Sequence, residues 1–249
     1  MLSRAKIKLI RSLRLKKIRD DLRLFTAEGI RLVEDLLPDF ECEMLIITPK
    51  WAGQATAFRS RELIVASEEE YSAVSQQHTP QGVMAVFRMK ELFAPGDIAQ
   101  QLTLALDDIQ DPGNLGTIIR IADWFGIRNI FCSLQTADAY NPKVVQSSMG
   151  ALARVNLHYV DLPVFLTSHN DIPIYGTALD GMNIYQSALT QHGIIVMGNE
   201  GNGISAETAK QVTSKILIPC FPENEPTSES LNVAVVTAVV CAEFRRRGR

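Results

Sequence analysis

The stretch Leu106-Asp107-Asp108-Ile109-Gln110-Asp111-Pro112-Gly113-Asn114-Leu115-Gly116-Thr117-Ile118-Ile119-Arg120 decides how this chain is read. The apolar run over 102–107 predicts a strand, and Asp111-Pro112-Gly113 supplies a sharp reversal. A helix is expected over 114–125, with Asn114 as its cap, because a short polar side chain accepts bonds from the unpaired first N–H groups. Arg120 falls on the second turn of that helix. A strand–turn–helix of this kind presents polar groups at the C-terminal edge of a parallel sheet, where α/β proteins bind ligands. Alone, the segment fits an ordinary capped βα loop equally well.

Working outward, further strands are expected at 128–132, 154–160, 173–179, 193–198 and 214–218, and helices at 142–151, 162–169, 205–211 and 228–246. This alternation predicts a mostly parallel sheet with helices on both faces. The breaker-rich Phe93-Ala94-Pro95-Gly96-Asp97 divides the chain into residues 1–93 and 98–249. In the first part, Ile7, Ile10, Leu13 and Ile18 form an apolar stripe on a basic helix, and Phe25, Ile30, Val33 and Leu37 fit a second helix ended by Pro38. Short strands at Met44–Thr48, Leu63–Ala66 and Val83–Phe87 with a helix over Glu68–Val74 suggest a small three-layer α/β/α module.

A chain of 249 residues, 46% hydrophobic and 21% charged, is globular. No apolar run reaches the roughly 20 residues of a membrane span, and the basic N-terminus lacks the pattern of a secretory signal. The four cysteines lie far apart without a CxxC, and the histidines show no ligand spacing. A disulfide framework and a metal site are not expected, and a cytoplasmic location fits. The net charge of −3 is unevenly placed: residues 1–23 hold nine Lys/Arg against Asp20 and Asp21, a local +7 that leaves −10 for the remainder. Arg245, Arg246, Arg247 and Arg249 form a second basic cluster. Two such clusters on an acidic protein suggest contact with a polyanion such as nucleic acid, with Lys8, Arg11, Lys16, Lys17 and Arg19 the candidate contacts.

Two more segments carry chemistry. Gly198-Asn199-Glu200-Gly201-Asn202-Gly203-Ile204-Ser205 follows a buried strand, with Ser205 a plausible helix cap. Its glycines permit positive φ and close approach of a ligand. A Rossmann fingerprint belongs on the first strand of its domain, whereas this loop follows the fifth, so a dinucleotide-dependent dehydrogenase is disfavoured. No GxxxxGK[ST] occurs, which excludes a P-loop NTPase. In the third segment, Ile218-Pro219 ends a strand and Ser230-Leu231-Asn232 enters an apolar final helix that either Ser230 or Asn232 can cap.

In this order and at these spacings, the three segments resemble motifs 1, 2 and 3 of the SpoU (TrmH) branch of the SPOUT RNA methyltransferases. Motif 1 is matched by Asp111-Pro112-Gly113-Asn114-Leu115-Gly116 with Arg120, motif 2 by Gly198-Asn199-Glu200-Gly201 with Gly203, and motif 3 by Ile218-Pro219 with Ser230-Leu231-Asn232. Asn141-Pro142-Lys143 and Ser148-Met149-Gly150-Ala151 add to the likeness. Residues 1–92 more loosely resemble the family's substrate-binding domain, akin to ribosomal proteins that bind kinked RNA, through Lys17-Ile18-Arg19-Asp20, Phe25, Glu28-Gly29 and Pro80-Gln81-Gly82-Val83.

The resemblance implies a C-terminal trefoil knot, a homodimer packed through the knotted domain, and S-adenosylmethionine held by Thr177, Ala178, Gly198, Asn199, Glu200, Gly201, Ile218, Ser230, Leu231 and Asn232. It implies methyl transfer to a ribose 2′-hydroxyl of RNA, with rRNA before tRNA, and casts Arg120, Asn114 and Glu200 as the catalytic set. Arg120 is the family's general base; because a free guanidinium loses its proton only above about pH 12, a charged role at phosphate or alkoxide is the plainer account. Asn114 would position the ribose or Arg120, and Glu200 would orient Arg120 or line the cofactor loop. One departure is an acidic, proline-rich insertion between Pro219 and Ser230. The competing reading is a non-catalytic RNA-binding or ribosome-assembly protein with the same fold.

Overall fold

The computed structural model describes residues 1–54, 58–91, 95–221 and 230–247. Contacts divide the chain into two compact units, Met1–Glu91 with Asp138–Arg154, and Leu92–Ala137 with Val155–Arg249. A single cut near residue 95 therefore differs from the grouping by contact, because Asp138–Arg154 returns to the first unit. Three contacts account for that return. Asp138 pairs with Arg19, the Tyr140 ring packs at a tilt 4.8 Å from that of Phe25, and Lys90 donates to the Ala153 carbonyl.

The first unit contains α1 (Arg4–Ser12), α2 (Lys16–Leu22), β1 (Leu24–Glu28), α3 (Ile30–Leu36), β2 (Cys42–Ile47), β3 (Glu62–Val65), α4 (Glu68–Ser72) and β4 (Val83–Arg88). Its strands run in the order β1-β4-β2-β3, with β4 antiparallel to both neighbours and β3 parallel to β2. Side chains alternate across the sheet. Met44, Ile46, Met84 and Val86 thus meet Ile10, Leu13, Tyr71 and Val74 on one face, while α3 packs on β1 and β4 with Leu32, Val33 and Leu36 buried. Phe25, read from sequence as helical, lies in β1. Arg23 in the left-handed conformation (φ 55°) ends α2 immediately before it.

The second unit opens with β5 (Leu102–Leu106) and α5 (Pro112–Trp124), then β6 (Asn129–Ser133). The chain visits the first unit as α6 (Pro142–Ser148), then forms β7 (Asn156–Val160), α7 (Leu162–Thr167), β8 (Ile174–Asn183), β9 (Gly193–Met197), α8 (Ala206–Ala209), β10 (Ser214–Leu217) and α9 (Val233–Arg246). The strand order is β10-β8-β9-β5-β6-β7, and every pairing is parallel. Each residue of β5, β6 and β9 is buried, the unbroken apolar character that a strand covered on both faces requires.

Two features of this sheet build a site. Leu106 of β5 pairs with Met197 of β9, so the loops after these strands leave from the same edge. Pairing of β8 with β9 ends at Gly176↔Val196, yet β8 continues to Asn183 beside β10. The sheet therefore splits at its C-terminal edge and opens a cavity.

Candidate functional site

Asp111, not Asn114, caps α5: its carboxylate accepts from the Asn114 N–H at 2.8 Å, and Pro112 occupies the first helical position, where a missing N–H costs nothing. This corrects the sequence expectation and frees the Asn114 side chain. Its Nδ2 donates to Glu200 Oε1 at 2.8 Å, and its Oδ1 accepts from Asn232 Nδ2 at 2.9 Å. Asn232 caps α9, its Oδ1 accepting from the N–H groups of Ala234 and Val235. That cap fixes the polarity of the whole string. An oxygen committed to two backbone donors leaves the Asn232 amide nitrogen facing Asn114, and Asn114 must then present its own nitrogen to the carboxylate. One residue from each sequence motif thus joins one hydrogen-bonded line.

The loop after β9 is braced from within and from the neighbouring turn. Asn199 and Gly203 exchange both backbone bonds at 2.9 Å, and the Asn199 side-chain oxygen Oδ1 accepts from the N–H groups of Gly201 and Asn202. Its Nδ2 donates to the Asp108 carbonyl at 2.7 Å, and the buried Asp107 carboxylate accepts from the Ser205 N–H at 2.8 Å. Asp108 itself has φ 60°, which turns its carbonyl into reach. Asp107 and Asp108 escaped the sequence reading as site residues; an acidic pair at the end of a buried strand was the available signal. Gly198 is required by packing, since a Cβ there would lie 2.3 Å from Gly203 C and Ile204 N. Ser205 caps α8 as expected.

The cavity opened by the divergence of β8 measures about 940 Å³. Thr177, Ala178, Ile218, Ser230 and Leu231 line it, together with Gly203 and Ile204. Gly198, Asn199, Glu200, Gly201 and Asn232 do not line it; they build its neighbouring loop and the polar string. Residues 222–229 of the acidic insertion lie outside the described residues.

Arg120 is exposed on α5 and shares a stripe with exposed Thr117 and Trp124. Among the described residues its guanidinium makes no hydrogen bond or ion pair, and the Glu200 carboxylate is engaged by Asn114 instead. The idea that Glu200 orients Arg120 finds no such bond.

The basic clusters divide. Lys8, Lys16 and Lys17 are exposed, Lys16 paired with Asp20 at 2.5 Å, and exposed Arg11 donates Nε to the Ala73 carbonyl. Arg19 is buried, held by Asp138 and by the carbonyls of Leu13 and Arg14, so it is a structural residue and not an RNA contact. The C-terminal arginines are also internally engaged: Arg245 donates to the Phe125 and Gly126 carbonyls, and Arg246 and Arg247 flank Glu243. Arg249 lies outside the described residues.

A parallel sheet that splits at its C-terminal edge, a glycine-tightened loop and a polar string beside a cavity fit the resemblance to SpoU-type methyltransferase domains. Solved structures agree. A putative RNA methyltransferase of the TrmH family from Porphyromonas gingivalis is 42% identical, superposes with a TM-score of 0.88 and covers 99% of both chains. An AdoMet-bound rRNA methyltransferase from Sinorhizobium meliloti is 29% identical with a TM-score of 0.85, over 99% of this chain and 96% of that one. The profile of the SpoU rRNA Methylase family matches residues 101–242, and that of the MRM3-like substrate binding domain matches residues 4–85. The 23S rRNA (guanosine(2553)-2'-O)-methyltransferase RlmP of Bacillus subtilis is 31% identical over 96% of both chains. The chain belongs to the SpoU rRNA methylase family.

Proposed function

We propose that the protein transfers a methyl group from S-adenosylmethionine to a ribose 2′-hydroxyl of rRNA. The observation that carries this reading is the Glu200–Asn114–Asn232 string, because Ser230 and Leu231 line the cavity and the next residue, Asn232, anchors the string. The cavity fits the cofactor: its volume of about 940 Å³ lies within the roughly 300–1,000 Å³ of small-molecule sites. Ile204, Ile218 and Leu231 offer apolar walls for an adenine, and the ends of β8 and β10 offer backbone groups for its polar edge. When bound, S-adenosylmethionine supplies an electrophilic methyl on a sulfonium centre.

The chain's own residues do the rest. The string holds the Asn114 amide in one orientation at the mouth of the site, so its contribution to orienting the ribose needs no reorganisation. Arg120, exposed and with an unengaged side chain among the described residues, brings a positive charge for the phosphate or for the oxygen that gains negative charge as its proton passes to solvent water. Lys8, Lys16 and Lys17 supply salt-sensitive attraction to the RNA backbone, and the N-terminal unit acts as its ribosomal-protein-like binding module. A homodimer covers the exposed apolar stripe that Trp124, 85% exposed, and Val235 present on α5 and α9. The final strands and α9 thread the knot of the family, and unpaired Cys42, Cys132 and Cys241 suit the reducing cytoplasm.

The test is methyl transfer to unmodified rRNA transcripts by wild type, Arg120→Ala and Arg120→Lys, with cofactor affinity measured by calorimetry. Loss in the alanine variant with partial retention in the lysine variant is expected, at unchanged cofactor affinity. Wild-type rates in both would remove Arg120 from the mechanism, and wild-type protein that binds no S-adenosylmethionine would leave the non-catalytic RNA binder as the better reading.

A further inference from the structure

A second cleft, of about 440 Å³, is lined only by residues of the unit formed by Met1–Glu91 and Asp138–Arg154. Its floor is a network of neutral donors around the buried Glu28 carboxylate, which accepts from the Tyr71 hydroxyl at 3.1 Å, the Gln76 N–H at 3.0 Å and the Ser75 hydroxyl. Above it, Gln77 Nε2 donates to the Glu28 carbonyl at 3.2 Å and to Gln146 Oε1 at 3.1 Å. Both of its N–H groups are thereby used, which fixes both amides. Gln77 Oε1 is left as an acceptor and Gln146 Nε2 as a donor, and neither has a partner among the described residues. Gln76 is fixed in the same way by donating to Thr26 Oγ1. The rim carries the exposed cations Arg14 and Lys143.

Neutral amides with open hydrogen-bonding capacity beneath a cationic rim match one ligand chemistry. An unstacked nucleobase presents donors and acceptors on its edge, as glutamine amides do, and its phosphate seeks arginine and lysine. We propose that this cleft takes one unstacked nucleotide of the RNA substrate, its base edge at Gln77 and Gln146 and its phosphate at Arg14 and Lys143. The inference rests on the RNA methyltransferase reading above. It extends substrate recognition to a segment, 138–154, that lies outside the 4–85 span matched by the substrate-binding profile.

The experiment uses the full chain and a short, fluorescein-labelled single-stranded RNA of randomised sequence, with a duplex of the same length as control. Gln146→Leu removes the amide; Gln146→Glu keeps its shape and its bond from Gln77 but sets a negative charge in the cleft. Both should weaken single-strand binding by roughly fivefold or more, from the loss of about one hydrogen bond. Arg14→Gln should lower the slope of log affinity against log salt by about one, and duplex affinity should change by less than about twofold. Single-strand affinity equal to wild type in both Gln146 variants overturns the proposal. Methyl transfer by wild-type protein is scored separately: its absence overturns the enzymatic reading, and weakened single-strand binding by the Gln146 variants would still uphold the cleft as a nucleotide site.

Discussion

Asn232→Asp separates the two tasks of the residue that anchors the polar string. The new carboxylate still accepts from Ala234 and Val235, and aspartate is as good a helix cap as asparagine, so α9 keeps its start. What disappears is the donor that Asn232 Nδ2 directs at Asn114 Oδ1 over 2.9 Å. Two oxygens cannot share that contact, so the Asn114 amide turns over and presents its own nitrogen to the carboxylate at 232. Its oxygen then faces Glu200, and the 2.8 Å bond to Glu200 Oε1 is lost. A hydrogen bond to a charged group is worth about 1.5–3 kcal/mol. At about 1.4 kcal/mol per decade, the methyl-transfer rate should fall roughly ten- to a hundredfold. Single-turnover transfer to an rRNA transcript measures that rate, while calorimetry and thermal melting should show near-unchanged cofactor affinity and stability. Because the effect passes through Asn114, adding Asn232→Asp to Asn114→Ala should slow transfer little further. A wild-type rate in Asn232→Asp, or full additivity in the pair, would refute the string as a positioning device.

Three other outcomes follow from the geometry. Gly198→Ala places a Cβ 2.3 Å from the backbone of Gly203 and Ile204, an overlap that no rotamer relieves; it should cost about 1–3 kcal/mol in melting experiments and weaken S-adenosylmethionine binding as the Asn199–Gly203 pair opens. Thiol titration of the native protein should show one fast cysteine, Cys220, which is exposed and lines the cavity, and the cofactor should slow its reaction. Burial raises the thiol pKa of Cys42 and of Cys241 to about 12, and that of Cys132 upward as well, so more than one fast equivalent would contradict the packing. Hydrogen bonds from Arg246, then from Arg247, lower the Glu243 pKa from 4.5 to about 2. A carboxyl lowered in the folded state stabilises above its unfolded pKa and loses that contribution as pH falls through the folded one. Glu243→Gln should therefore melt below wild type at neutral pH, with the gap closing between pH 4.5 and about 2.

Much of this fold was legible because its strongest signals are local. The strands over 102–107 and 193–198 are apolar runs bounded by turns, and the structure places them as adjacent buried strands, β5 and β9. Asn114 shows where local reasoning slipped. Both Asp111 and Asn114 have side chains suited to a cap, and the deciding sign was Pro112, which prefers the first helical position and so points to the residue before it. The spacing of Phe25 to Ile30 and Val33 fits a helical stripe, while the break at Arg23 depends on a backbone angle that composition does not display. The fate of the arginines was hidden for another reason. Arg19 is neutralised by Asp138, 119 positions away, and Arg245 donates its hydrogen bonds to carbonyls 119 and 120 positions away, so charge counted along the chain overstated what is free at the surface. The Gln77–Gln146 contact was invisible on the same grounds.

The string from Glu200 through Asn114 to Asn232 joins positions 86 and 118 residues apart. Sequence separation of that order makes its closure a late event in folding, since loop-closure entropy must be overcome before such contacts give any return. A chain still emerging from the ribosome can pair β5 with β9 and form the glycine loop with its Glu200–Asn114 bond, yet Asn114 Oδ1 lacks its donor until residue 232 docks. On the proposed function, the orientation of the reacting ribose is thereby tied to the arrival of α9, the last helix of the described residues.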